Sequence, residues 1–411
     1  MTTADLPAAL QLPRPRAALS GAVARRLAHV ALAGVPVRMR YPDGREVGGG
    51  GPDAPVLQLV RPRAVFQRLE AHPKIGLGEA YMAGDWTAAD GTDLAQLLMP
   101  FAARLSTILP RPLMRMRAIV DRALPAAQRN TLTGSRANIE AHYDLSNDLF
   151  AAFLDETMTY SSAWFAGDTP WEQQSLAEAQ RRKIDLLLDR AGVGAGTRVL
   201  EIGTGWGELA VRAASRGARV TTITLSREQR ELARRRIAAA GLTDRVDVRL
   251  QDYREVDGRY DAVVSVEMIE AVGEDYWPTY FRTLDERLAP GGTVVLQAIL
   301  MDHQRLLATR NSFGWIQKYI FPGGLIPSLQ AIEEVSGRHT SLQVADSAHF
   351  GAHYAETLRR WRETFLDAWP KVRDGGFDET FRRMWEFYLA YCEAGFAVGY
   401  LDVAQLTLRR A

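Results

Sequence analysis

Between residues 176 and 300 the apolar and polar positions keep a regular rhythm. The segments 198–203 (RVLEIG), 219–224 (RVTTIT), 245–250 (RVDVRL), 260–266 (YDAVVSV) and 292–299 (GTVVLQAI) predict five strands, the first of them buried. Between them lie amphipathic stretches, such as REQRELARRRIAAA at 227–240 and YWPTYFRTLDERLAP at 276–290, that predict helices. Strands alternating with helices imply an α/β fold of Rossmann-like type, with a parallel-rich sheet covered on both faces. The N-terminal part has a different pattern. VPVRMRYPDGREV at 35–47 alternates around an Asp43-Gly44 turn and predicts a hairpin. RAVFQRLEAHP at 63–73 predicts a helix stopped by Pro73, and GLGEAYMAGDW at 76–86 places glycines where tight turns are expected. A small mixed α/β domain over residues 1–100 is therefore expected, with a larger one at 136–411 that is mostly helical beyond residue 300.

The stretch 101–135 joins them. Arg104, Arg111, Arg115, Arg117, Arg122 and Arg129 stand there against one acid, Asp121, interleaved with leucine, isoleucine and methionine. Such a basic amphipathic connector suits either a linker helix packed on a neighbouring domain or a helix lying on a membrane surface. At 411 residues the chain exceeds what one core organises, in keeping with two units. The net charge of +1 argues against bulk nucleic-acid binding. Cys392 is the single cysteine, so neither a disulfide framework nor a thiolate metal cluster is expected. With no signal-peptide pattern and no apolar run of spanning length, the expectation is a cytoplasmic protein that can sit peripherally on the inner membrane face.

The candidate chemistry begins at Gly203-Thr204-Gly205-Trp206-Gly207, the turn after the first of the five strands. Open α/β sheets bind ligands beyond the carboxyl ends of their strands, where such a turn lets backbone approach closely. The G-x-G-x-G spacing, and Glu201 two residues before the first glycine, point away from a dinucleotide. After the second strand, Ser226 and Gln229 have capping-box spacing, and the capped helix start can present Thr224 or Gln229 to a ribose. Asp252 and Tyr253 follow the third strand, where an acid could accept from an exocyclic amine and an aromatic ring could stack on a base.

These segments, with HYDLSNDLF, MTYSSAWF, SVEMIEAVG, WIQKYIFPGG and HYAETLRRW, make the chain resemble the cyclopropane-fatty-acyl-phospholipid synthase family and the related mycolic-acid methyltransferases. The resemblance runs from about His142 to the C-terminus, and GLGEAYMAGDW is similar to the N-terminal domain of the phospholipid-acting members. It implies a class I methyltransferase fold and S-adenosylmethionine as cofactor, held by Tyr160, Ser161, Gly203 to Gly207, Thr224 to Gln229, Asp252 and Tyr253. It further implies a bicarbonate base at Ser162, Glu270, Gln297, Ile299 and Tyr354. The family typically has cysteine where Ser162 stands, and histidine at Gln297 and Ala271.

The implied substrate is an unsaturated phospholipid in the bilayer. Methyl transfer to its double bond leaves a carbocation, which demands a dry site with aromatic walls. Trp164, Phe313, Trp315, Tyr319, Phe321 and Trp361 are candidates for those walls, with His142 and Tyr143 as positioning groups on the substrate side. The position of the base is expected to decide between a cyclopropane and a methylene branch. VLEIGTGWGELA with YSSA is similar to the branch making methylene chains, such as a 10-methylene chain from oleoyl, which a separate reductase could take to a methyl branch. A homodimer is compatible with the sequence. A methyltransferase of soluble small molecules and a non-catalytic lipid-binding relative are the alternatives.

Overall fold

The computed structural model describes residue 12 and residues 21–104 and 146–411. The connector expected over 101–135 lies, beyond Arg104, outside the described residues, as do His142 and Tyr143. The chain forms two compact units, and they do not follow the expected linear division. Among the described residues, 311–322 and 358–400 belong with the N-terminal residues, while 146–310, 323–357 and 401–411 form the second unit.

In the first unit a mixed sheet has the order β2-β1-β3-β4, from strands Arg38–Arg40 (β1), Glu46–Val47 (β2), Val56–Leu59 (β3) and Trp86–Ala88 (β4). β1 and β2 form the expected hairpin, and β1 runs parallel to β3. The segment 76–86 differs from expectation, because residues Gly76–Met82 are a helix and not a run of tight turns. Glycine is needed there for close packing: a Cβ on Gly78 would fall 2.5 Å from the Trp315 ring. The long helix Glu379–Ala397 completes this core, with the Phe387 ring 5.5 Å from Tyr81, 6.3 Å from Trp86 and 4.9 Å from Trp315.

The second unit is built on seven strands. Arg198–Ile202 (β5), Arg219–Thr224 (β6), Val246–Leu250 (β7), Tyr260–Val266 (β8) and Leu288–Met301 (β9) are the five expected ones, and all run parallel. Leu342–His349 (β10) and Leu401–Arg410 (β11) fall in the stretch expected to be mostly helical. They add antiparallel to the edge, giving the order β10-β11-β9-β8-β5-β6-β7. Side chains alternate between two apolar layers, as the period of a strand requires. Leu200, Ile202, Val263, Val294 and Leu296 enter one layer, with Phe281 and Ile332 from helices. Val199, Val220, Ala262, Val264 and Val295 enter the other, with Leu187, Ala210 and Ile237. On β9 this second face changes from Val295 to Gln297, so a polar group enters the interior near the carboxyl ends of β5 and β8.

Candidate active site

A cavity opens at those carboxyl ends. It is lined by Tyr160, Ser161, Glu201, Gly203 to Trp206, Thr224, Leu225, Gln229 and Tyr253, which brings together most of the residues expected around a nucleoside cofactor. Gly203 sets the turn: its φ is +99°, and a Cβ there would lie 2.8 Å from Met268 Cγ. Its N–H and that of Thr204 both donate to the Ile223 carbonyl at 3.0 Å, which ties the turn to β6. Trp206 is held by its indole N–H, donating to Asn147 Oδ1 at 2.7 Å, and by Phe150, whose ring is 4.8 Å away. The Thr224 hydroxyl donates to Gln229 Oε1 at 2.8 Å.

Three expected cofactor contacts are placed elsewhere. Ser226 is fully buried and caps the helix Arg227–Ala239, its hydroxyl accepting from the Gln229 N–H at 3.2 Å. Gly207 backs onto Ala233 of that helix. Asp252 does not line the cavity, because Arg254 takes both its carboxylate oxygens, at 2.8 and 2.7 Å. Two opposite charges two positions apart in the chain thus satisfy each other locally.

Glu201, by contrast, is buried in the wall of the cavity, and its Oε2 has no hydrogen-bond partner among the described residues. Burial pushes its carboxyl up to about 8. An orphaned acceptor beside a glycine turn fits S-adenosylmethionine, whose ammonium could meet Glu201 and whose ribose could meet Thr224 and Gln229.

Beside this wall lies a second group of buried polar side chains. Ser162, Gln297 and Tyr354 do converge, but what they converge on is the Glu267 carboxylate. Glu267 Oε1 accepts from the Ser162 N–H at 3.0 Å and from Gln297 Nε2 at 2.8 Å, and Oε2 accepts from the Tyr354 hydroxyl at 2.7 Å. The other two expected groups pair with each other, the Ile299 N–H donating to Glu270 Oε1. Bicarbonate therefore does not fit these residues as expected: three of its donors are already committed to an anion that belongs to the chain. Glu267 also has φ +50°, in the left-handed region that costs a non-glycine residue about 1–2 kcal/mol.

Glu267, Lys183 and Gln405 were absent from the sequence expectations. Lys183 is fully buried on the helix Leu176–Arg190, donates to Ser161 Oγ at 2.6 Å and lines the cavity. Its signal was a lysine on the apolar stripe shared with Ile184 and Leu187. Burial lowers Lys183 to about 8, while the charges of Glu267, Asp155 and Glu201 work the other way. Gln405 sits opposite Gln297 in the β11–β9 ladder. Its Nε2 donates to Gln297 Oε1 at 3.3 Å, turning the Gln297 amide so that its own NH2 faces Glu267.

Burial is also the main cause raising Glu267, opposed by Lys183 and its three donors, and burial with the neighbouring Glu267 charge brings Glu270 to about 8. The folded chain thus holds a proton on Glu270 that the unfolded chain releases near 4.5. That contribution to stability is complete at low pH and is lost as pH rises towards about 8. Glu270→Gln should flatten the pH dependence of Tm over this window. An undiminished slope would assign the pH dependence to other groups.

The remaining candidates are not among the residues lining this cavity. Trp164 packs on Phe350, ring centroids 4.3 Å apart. His353 accepts from the Phe165 N–H at 3.0 Å, and burial lowers it to about 4, which suits a structural acceptor. Trp315, Tyr319, Phe321 and Trp361 belong to the first unit, where the Tyr319 hydroxyl donates to Glu79 at 2.7 Å and the Phe321 ring lies 5.8 Å from Tyr388.

Comparison with known proteins places this geometry. The family model described as mycolic acid cyclopropane synthetase matches residues 130–406. Tuberculostearic acid methyltransferase UfaA1 of Mycobacterium tuberculosis is 54% identical over 98% of this chain and 95% of its own length. Cyclopropane-fatty-acyl-phospholipid synthase of Escherichia coli is 35% identical over 84% of this chain and 85% of its own. Among solved structures, a mycolic acid cyclopropane synthase complexed with SAH and CTAB aligns with a TM-score of 0.61 at 30% identity, covering 67% of this chain and 98% of that one.

Proposed function

The chain belongs to the mycolic acid cyclopropane synthetase family, and from that premise we propose that it methylates the cis double bond of an unsaturated phospholipid acyl chain and releases a methylene-branched chain. Its class, an S-adenosylmethionine-dependent methyltransferase acting on unsaturated fatty acyl chains, follows from the family and its relatives. The observation that carries the finer reading is the similarity to a tuberculostearic acid methyltransferase along nearly the whole chain, first unit included.

S-adenosylmethionine supplies an electrophilic sulfonium methyl. The chain's own residues must hold the alkene against it, exclude water from the resulting carbocation and accept one proton. Base position alone does not separate the two products, because the ring carbon and the methylene carbon are both the transferred carbon. Either product loses its proton from that carbon. Prompt loss closes the ring, whereas loss after a 1,2-hydride shift along the acyl chain leaves the methylene. A fixed acceptor with a delay before transfer favours the methylene, and a separate reductase would then complete a methyl branch.

Contact with a bilayer is supported by the helix Ala22–Ala33. It exposes Val23, Leu27 and Val30 along one face, with Arg25 and Arg26 also exposed. Among the described residues no helix is long and apolar enough to cross a membrane.

The test uses dioleoyl phosphatidylglycerol vesicles and a trideuteromethyl donor. The expected product is a 10-methylene chain keeping two deuterium atoms. A product containing only cyclopropane would overturn the assignment of the branch. Turnover on free solutes with none on vesicles would move the protein to soluble substrates.

A further inference from the structure

Glu267 is not among the groups that the resemblance assigns to this site. It stands three residues before Glu270 in SVEMIEAVG, directly after β8. Its carboxylate is a planar O–C–O anion, as bicarbonate is, and it accepts from Ser162, Gln297 and Tyr354, three of the groups expected to hold that ion. Gln405, behind Gln297, and the buried Lys183 complete an environment built for one fixed negative charge. A free bicarbonate in the same place would have to compete with the Glu267 carboxylate for those three donors. Glu267 also lines the cofactor cavity, together with Met268 and Ser161.

We propose that Glu267 is the catalytic base, an in-chain carboxylate that removes the proton from the transferred methyl group and makes exogenous bicarbonate unnecessary. This rests on the acyl-chain methyltransferase reading above. In the reaction the alkene π pair forms the new C–C bond as the methyl–sulfur bond breaks with its pair going to sulfur. The acyl chain is left cationic. A chain hydride then shifts to the cationic carbon. A proton passes from the methyl carbon to a Glu267 oxygen, and the C–H pair becomes the C=C bond of the methylene. The Glu267 proton returns to solvent before the next turnover, so no external base is consumed.

The test uses the full chain, S-adenosylmethionine and dioleoyl phosphatidylglycerol vesicles, with bicarbonate either stripped from the buffer or restored. Wild-type turnover is expected to be the same in both within about twofold. A tenfold fall on depletion that bicarbonate reverses would overturn the proposal while leaving the acyl-chain reading intact. Glu267→Gln keeps the shape but not the basicity, and should lower turnover on the order of 100-fold or more with cofactor affinity retained. Glu267→Gly empties the space and should become dependent on added bicarbonate, a rescue that a structural role would not produce. Near-normal turnover of a folded Glu267→Gln would overturn the proposal. If neither variant folds, the depletion result on the wild type decides. No transfer by wild type to any unsaturated vesicle would overturn the acyl-chain reading and this inference together.

Discussion

Gly203→Val should lower S-adenosylmethionine affinity on the order of 100-fold, the equivalent of about 3 kcal/mol. The glycine has φ +99°, a region where a β-branched residue is an outlier, and its added Cβ would press on Met268 Cγ at 2.8 Å. Off-region backbone costs about 1–3 kcal/mol, and overpacking costs a similar amount. The turn can relieve both only by moving, and movement withdraws the backbone that lines the cavity between Glu201 and Trp206. Met268 is the neighbour of Glu267, so the displacement also reaches the buried acid. Calorimetric titration of the folded variant measures the loss, and affinity within about threefold of the wild type would move the cofactor out of this cavity.

Asp85→Ala should destabilise the first unit by about 3–5 kcal/mol, the usual result of breaking a buried ion pair from one side. Asp85 is 2% exposed and accepts from Arg68 Nε at 3.0 Å and from Arg61. Arg68 is itself 6% exposed, and its contact with Glu79 is longer, at 3.8 Å. Glu79 is meanwhile engaged by Lys318 and by the Tyr319 hydroxyl. Removing Asp85 leaves a desolvated guanidinium with weakened compensation. Thermal unfolding should register a fall of about 10 °C in the transition of this unit. The exposed pair Arg359–Glu363 serves as a control, since Glu363→Ala should cost under about 1 kcal/mol. Equal shifts for both variants would refute burial as the cause.

The five parallel strands could be read from the chain because each carries β-branched or other apolar residues over four to eight positions between helical stretches, most of them buried as in β5 and β8 and alternating with charges in the edge strand β7. β10 and β11 could not. Leu342–His349 is half polar, and the value of VAQLTL at 403–408 depends on pairing with β9, which local pattern does not reveal. Nor does an amphipathic helix state which core it joins, and residues 358–400 pack with the N-terminal residues although the family match runs through them. The cofactor wall was legible where the main chain makes it, as at Gly203, and illegible where a neighbour competes, as at Asp252 with Arg254. Glu267 is the first of two acids in SVEMIEAVG, and the motif alone did not single it out. Its meaning came from partners 105, 30 and 87 residues away, a distance no spacing rule spans.

The place of β11 bears on how the protein comes into being. This strand lies between β9 and β10, yet residues 401–410 are translated after both. While the nascent chain lacks them, the inner edge of β9 has open N–H and C=O groups and β10 has no neighbour to pair with, an invitation to wrong partners. Gln297 likewise waits for Gln405. Synthesis thus leaves the sheet discontinuous, and the amide beside Glu267 without its brace, until residues 401–410 have left the ribosome.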